Sequence, residues 1–431
     1  MPKILICTVD AWNSKLSASS SNTFSALFSQ YDAQDLANVY IREELPDSKV
    51  CSKYFQISEQ LVIKSLIKPK IKTGREVTVA EEVSKDDLDT LEKHHELYDK
   101  NRAKRSYVKL FIREIIWLFG RWHSKELDAF LEDFSPDVVV FSMEGYIHFN
   151  RICRYIVKKT GAKAIGYFWD DNFTYEQLKN NLGFRMFRFF QRRSLKKLAK
   201  CTNKFWAISP KTKREADEFF GVDSILLTKP VDMPDKNISM AAVYEKPLKM
   251  VYTGNLAIGR ASTIIAISKA FDKLNEKEKL IELDVYTPTA LTPEESKELG
   301  NSVHVCPPVP MEKVADIQEK ADILLFAEDI DGPLSKKARL SFSTKITDYL
   351  RSGKCILALG NADTAPMEYF AQTGAAICVT KKEKIEEALH MILKSPEILA
   401  EYATRAYECG KENHDGEKIR GIVEETIAAL V

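Results

Sequence analysis

The chain has 431 residues, 45% hydrophobic and 29% charged, and its 63 basic against 62 acidic side chains leave a formal net charge of +1. A single apolar core stops growing at roughly 250–300 residues, so two domains are expected, with enough apolar material to fill both. The balanced charge excludes a global field suited to nucleic acid, and no apolar run of about 20 residues is present to span a bilayer.

From the N-terminus onward, short apolar runs alternate with amphipathic stretches, the pattern of βα units wound around a parallel sheet. Strands are predicted at 3–8 (KILICT), 36–41 (LANVYI), 50–56, 137–142 (DVVVFS), 163–168 (KAIGYF), 204–208 (KFWAI) and 223–228. Helices are predicted at 22–32, 107–119, 146–159, 185–200 and 210–220, and these elements make a first domain over 1–235. The opening MPKILICTVDAW has only a short apolar run and no small-residue cleavage site, so a cytoplasmic protein is expected. The Lys-, Glu- and Asp-rich segment 66–104 reads as a solvated insertion or loop rather than core.

The stretch 232–246, with two prolines and no clear period, reads as a linker, placing a boundary near residue 240. A second series follows, with strands at 248–253 (LKMVYT), 281–286 (IELDVY), 302–306, 322–327 (DILLFA), 355–359 (CILAL) and 375–379. Helices at 261–274, 310–319, 343–352, 382–393 and 396–408 separate them, giving a second domain over 240–415. The last helix, within 416–431, is expected to cross back onto the first domain. Eight scattered cysteines form no CxxC or metal-spaced cluster and read as free, mostly buried thiols.

Ligands of such sheets bind beyond the carboxyl ends of the strands, so the residues that follow the strands are the candidates. In the first domain these are Asp10 and Trp12 ahead of the Ser-rich run 17–21, then Glu144 and His148, then Trp169, Asp170 and Asp171. His148 fits a satisfied helix histidine better than a catalytic one. In the second domain the most informative segment is SFSTKITDYLRSGKCILALG at 341–360, where Ser343 and Thr344 open a helix, Gly353 ends it and a buried strand follows. Amides at that helix start suit an anion or a sugar hydroxyl, with Lys345 in the first turn and Asp348 one turn later. A purely structural role, Ser and Thr capping the helix and Asp348 favouring its positive end, fits equally well.

The segment resembles the signature of family 4 GT-B glycosyltransferases, in which a Lys, an acidic residue, "YLxSGK" and an apolar strand follow a strand like ADILLFAE. KMVYTGNLAIGRASTI at 249–264 resembles the loop that holds the donor diphosphate in that family, with Gly254 letting the ligand approach and Arg260 forking onto the diphosphate. Asn255 stands where the family usually has Arg, and Leu340 where it has the first of two glutamates; the second aligns with Asp348. Asp329 and Asp331 are nearby loop carboxylates.

The resemblance implies an α/β fold of two doubly wound Rossmann-like domains facing each other across a cleft, the first for an acceptor and the second for a donor. It further implies a hexosyltransferase using a nucleotide diphosphate sugar, most simply a UDP-sugar, to extend a saccharide or lipid-linked saccharide in surface-polysaccharide assembly. Gly254, Asn255, Arg260, Ser343, Thr344, Lys345 and Asp348 would bind the donor. Asp170, with Asp171 in reserve and Glu144 beside them, would take the acceptor proton. Arg260 and Lys345 would stabilise the leaving diphosphate, so neither a metal nor another cofactor is expected.

Residues 183–200, GFRMFRFFQRRSLKKLAK, carry seven basic residues and no acid, interleaved with Phe184, Phe187, Phe189 and Phe190. Such a helix fits an anionic membrane surface, or equally a helix packed on the sheet with a basic outer face. The stretch 107–122 is a second amphipathic segment, read as core or interface. Two other functions fit the same architecture: a GT-B-shaped nucleotide-sugar epimerase, and a non-catalytic partner subunit.

Overall fold

The computed structural model of the chain describes residues 1–12, 19–79, 106–236, 238 and 244–431, with backbone alone for 19–22 and for 311. Most of the segment 66–104, the start of the Ser-rich run and the predicted boundary near residue 240 lie outside the described residues. Two compact units are present, 1–208 with 213–229 and 419–431, and 209–212 with 230–418.

In the first unit the described strands are β1 (Ile4–Thr8), β2 (Leu36–Tyr40), β3 (Lys53–Ile57), β4 (Gly74–Val77), β5 (Val138–Ser142), β6 (Lys163–Phe168), β7 (Lys204–Ala207) and β8 (Ile225–Leu226). They form one sheet in the order β4-β3-β2-β1-β5-β6-β7-β8, parallel except for β4, which runs antiparallel to β3. β1, β2 and β5 are buried at every residue, as strands covered by helices on both faces must be, and they therefore read as unbroken apolar runs. β4 escapes a sequence reading because GREV is a short edge strand carrying Arg75 and Glu76, with no apolar period. Within this unit the last helix, Gly416–Ala428, packs so that the Trp206 indole N–H meets Thr426 Oγ1 at 3.3 Å.

The second unit contains β9 (Leu248–Thr253), β10 (Ile281–Tyr286), β11 (Val303–Cys306), β12 (Ile323–Ala327), β13 (Cys355–Leu359) and β14 (Ile377–Val379). Their order is β11-β10-β9-β12-β13-β14, all parallel. Leu325, Leu357 and Leu283 lie in one continuous core with Ile264, Ile267 and Phe271 of the Arg260–Leu274 helix. Burying each such side chain stabilises the unit by about 1.5–3 kcal/mol.

Among the described residues, four short α-helices lie outside the predicted set: Glu59–Ser65, Lys125–Phe134, Pro293–Glu298 and Ala365–Thr373. Three of them carry a legible start. Ser58, Ser124 and Thr292 each accept an amide three residues on, and Thr292 with Glu295 forms a reciprocal capping box. All eight cysteines are free.

Candidate functional site

In the second sheet the chain winds outward in opposite directions from β9 and β12, which lie side by side. That is the topological switch point, where open α/β sheets leave a crevice beyond their carboxyl ends. The segments leaving these two strands carry the donor candidates.

After β9, Gly254 takes φ 137, and a Cβ built there would lie 2.8 Å from Lys345 Nζ, so a larger residue would displace the ammonium. Gly259 takes φ 80, and its Cβ would lie 2.6 Å from Asp329 Cβ. Between them Ile258 stands at φ 58, a strained setting for a β-branched residue of the sort that clusters in ligand loops. Arg260 opens the next helix. Its Nη1 donates to Asn255 Oδ1 at 2.8 Å and its Nη2 to Glu328 Oε1 at 2.8 Å, while its Nε is buried without a partner.

Lys345 reaches the same place from the Lys345–Ser352 helix. That helix is tied to the strands by Tyr349, whose hydroxyl donates to the Leu325 carbonyl at 3.2 Å and accepts from the Thr253 amide at 3.4 Å. Lys345 Nζ donates to the Tyr252 hydroxyl at 3.1 Å and lies 4.3 Å from the centre of that ring. Burial, then the neighbouring Arg260 guanidinium, pull Lys345 down to about 7, against the opposing pull of Glu328. Thr344 occupies the N-cap without a side-chain cap hydrogen bond, and the Ser343 carbonyl accepts the Ile346 amide at 3.1 Å. Asp348 follows Lys345 at the i+3 spacing that keeps two side chains on one side of a helix.

The structure thus groups Gly254, Asn255, Arg260 and Lys345 and adds two residues that sequence reasoning missed, Tyr252 and Glu328. Glu328 follows the last residue of β12, the position the strand-end rule singles out, but its neighbour Asp329 looks identical in sequence. Asp329 is buried and accepts the amides of Gly332, Leu334 and Ser335 at 2.9–3.1 Å, so it builds the turn. Asp331 Oδ2 lies 3.7 Å from Lys382 Nζ, and Leu340 is fully buried.

In the first sheet the switch point falls between β1 and β5, and the residues beyond it are Asp10 and Glu144. Trp169, after β6, donates from its indole nitrogen to Glu144 Oε1 at 3.1 Å. Burial, then the charge of Asp170, raise Glu144 to about 7, with Asp10 adding to the effect. Asp170 itself is exposed. Asp10 pairs with Arg42, whose other neighbour Glu44, 3.7 Å away, is raised to about 7 by burial and by Asp10. Arg42 and Glu44 were not singled out, although they follow β2 directly.

Asp171 is placed differently from Asp170. It is buried, its carboxylate accepts the Thr174 amide at 2.9 Å and the Thr174 hydroxyl, and Arg188 Nη1 lies 3.4 Å from Oδ1. Its role is to shape the loop. His148 is likewise internal, with Nδ1 3.0 Å from Glu114 Oε1 and its ring stacked on Trp117 at 4.5 Å.

Each unit therefore presents one kind of chemistry. The second offers two cations at the mouth of a switch point, suited to a diphosphate. The first offers a carboxylate pair, one member held near neutrality, suited to taking a proton from a hydroxyl.

No protein-family model matches the chain, and no curated protein matches it in sequence. Solved structures do. Anabaena HepE in complex with UDP matches with a TM-score of 0.61 at 9% identity, covering 99% of this chain and 100% of that one. Sucrose-phosphate synthase from Thermosynechococcus elongatus matches with a TM-score of 0.61 at 10% identity, covering 100% of this chain and 99% of that one. α,α-Trehalose 6-phosphate synthase from Burkholderia multivorans gives a TM-score of 0.60 at 9% identity, with coverage of 100% and 99%. These neighbours are GT-B glycosyltransferases.

Proposed function

We propose that this chain, which has the GT-B fold, transfers a sugar from a UDP-sugar bound at the second unit to a hydroxyl of a saccharide or lipid-linked saccharide bound at the first. The observation that carries this reading is the meeting of Arg260 and Lys345 beyond β9 and β12. The uridine nucleotide is suggested by Anabaena HepE, which is seen in complexes with UDP and with UDP-glucose.

In the reaction the acceptor oxygen forms a bond to the anomeric carbon, the bond from that carbon to the diphosphate breaks, and one proton leaves the acceptor. Negative charge builds on the diphosphate as it departs, and Arg260, Lys345 and the amides at the start of the Lys345–Ser352 helix would receive it. Asp170, with Glu144 beside it, accepts the proton. Asp348 is assigned to the ribose hydroxyls, and no metal or other cofactor is invoked. UDP release from UDP-sugars that depends on added saccharide acceptor is the test. UDP release without acceptor, or interconversion of the sugar, would favour the epimerase, and tight donor binding without turnover the partner-subunit reading.

A peripheral position on an anionic cytoplasmic membrane face is part of the proposal, with the surface redrawn. In the Leu182–Ala199 helix, Phe184 and Phe187 are buried beside Tyr107 and Phe111 of the Tyr107–Phe119 helix, with ring centres 5.2–6.4 Å apart. The apolar surface left to solvent comes from both helices. Val108, Ile112, Ile115, Leu118 and Phe119 are exposed on one, and Leu182, Met186, Phe189 and Phe190 on the other. So large an exposed patch on a soluble unit marks an interaction site, and the adjoining Arg185, Arg193 and Lys197 suit anionic headgroups. No helix among the described residues is long and apolar enough to cross a membrane.

A further inference from the structure

Two cations side by side repel each other. Arg260 and Lys345 are close enough for the guanidinium to oppose the ammonium, and both draw on one carboxylate, Glu328. Glu328 is buried, and its backbone is fixed on both sides: its amide donates to the Leu359 carbonyl at 2.8 Å and its carbonyl accepts the Thr263 hydroxyl at 2.7 Å. The side chain therefore leaves the end of β12 from a rigid base. It takes one edge of the guanidinium at 2.8 Å while Asn255 takes another, so Arg260 is held in orientation before any ligand arrives.

We propose that Glu328 is a positioning residue, the built-in counter-charge that lets Arg260 and Lys345 stand together, so that a nucleoside diphosphate meets two cations already in place. The proposal rests on the reading of this loop pair as the donor site. A carboxylate in an anion pocket would ordinarily weaken anion binding. Here the cost is offset because the trio keeps a net charge of +1 while Lys345 is protonated, spread over two neighbouring donors. The groups that act on Lys345 are Arg260 and Glu328 from the neighbouring elements, and Tyr252, which takes its hydrogen bond. Of these only Glu328 both touches Arg260 and raises Lys345 toward its charged form.

The test is calorimetric titration with UDP-glucose, whose diphosphate is esterified at both ends and has no ionisation near neutral pH, with UDP, whose terminal phosphate completes its second ionisation around pH 6, as a cross-check above pH 7. Wild-type affinity should fall as pH rises through about 7, where Lys345 loses its proton. Glu328→Gln keeps a hydrogen-bonding group for Arg260 but removes the charge, and should move that break down by roughly one pH unit. Lys345→Met should abolish the break, and Glu328→Gln added to Lys345→Met should then leave the pH profile unchanged. Arg260→Gln removes the repelling cation and should move the break upward, which keeps the idea testable if Glu328→Gln folds poorly. A break that stays in place in Glu328→Gln, or in Arg260→Gln, overturns the role of Glu328. A wild-type protein that binds neither nucleotide overturns the donor-site reading instead.

Discussion

Lys345 rests on the face of Tyr252, its ammonium 4.3 Å from the ring centre and 3.1 Å from the hydroxyl, where burial and Arg260 hold it near 7. A lysine in the unfolded chain titrates near 10.5, so between these values the unfolded state holds one more proton than the folded state. Stability then rises with pH across that window, and below it the folded protein carries the full cost of a buried ammonium.

Lys345→Met should therefore stabilise the unliganded protein at pH 7 and below, by about 2–4 °C in melting temperature for each kcal/mol relieved, while weakening UDP binding. Thermal melts with and without UDP check both halves. A variant that melts lower without ligand, or that UDP stabilises as well as wild type, would remove Lys345 from the donor site.

The acceptor chemistry has its own pH signature. Glu144, raised to about 7, lies beside Asp170, and each carboxylate's charge makes the other hold a proton more tightly; Asp170 therefore takes the acceptor proton most readily once Glu144 is ionised, so kcat/KM should rise with pH through about 7, and the Lys345 titration should then bring it down. The sum is a narrow bell near neutrality. Glu144→Gln should erase the rising limb and keep the falling one. Asp170→Asn should lower kcat by about 10²–10⁴ with UDP affinity unchanged. A full-rate Asp170→Asn enzyme would transfer the proton-accepting role elsewhere.

The adjacent residue should behave in the opposite way. The Asp171 side chain is 0% exposed and Arg188 is 4% exposed, so Asp171→Ala leaves a buried cation without its carboxylate, at about 3–5 kcal/mol. Its melting temperature should fall by several degrees while the residual folded enzyme keeps its kcat. Unchanged stability with lost turnover would reverse the assignment of Asp170 and Asp171.

Vesicle flotation tests the apolar surface. Wild type should float with anionic vesicles at low salt and detach in part at high salt. Ile112→Asp combined with Phe189→Asp should abolish binding, whereas Arg193→Glu with Lys197→Glu should remove its salt-sensitive part. Indifference of wild type to anionic vesicles, or a dimer that protects these residues, would rule the lipid surface out.

The two sheets were legible because β1, β5, β12 and β13 are nearly unbroken apolar runs, which strands buried on both faces must be. The spacing of Gly254, Arg260 and Lys345 was legible too, since each sits at a strand end or a helix start. What the sequence could not decide was which of two adjacent acids faces the site. Asp170 and Asp171, or Glu328 and Asp329, differ only in where the backbone points them. Arg260 finds Glu328 across 68 residues of chain, a pairing that exists only once β9 and β12 lie together. The exposed face of the Tyr107–Phe119 helix was hidden for a related reason, because an amphipathic period shows that a face is apolar and not what covers it.

The most direct test of the whole account is a calorimetric titration of wild type and Arg260→Ala with UDP and, in parallel, with uridine. Wild type should bind UDP and scarcely bind uridine, and Arg260→Ala should bind UDP about 10- to 100-fold more weakly, as loss of a charge-assisted hydrogen bond of about 1.5–3 kcal/mol requires. Equal affinity of wild type for uridine and UDP, or an Arg260→Ala protein that binds UDP like wild type, would contradict it.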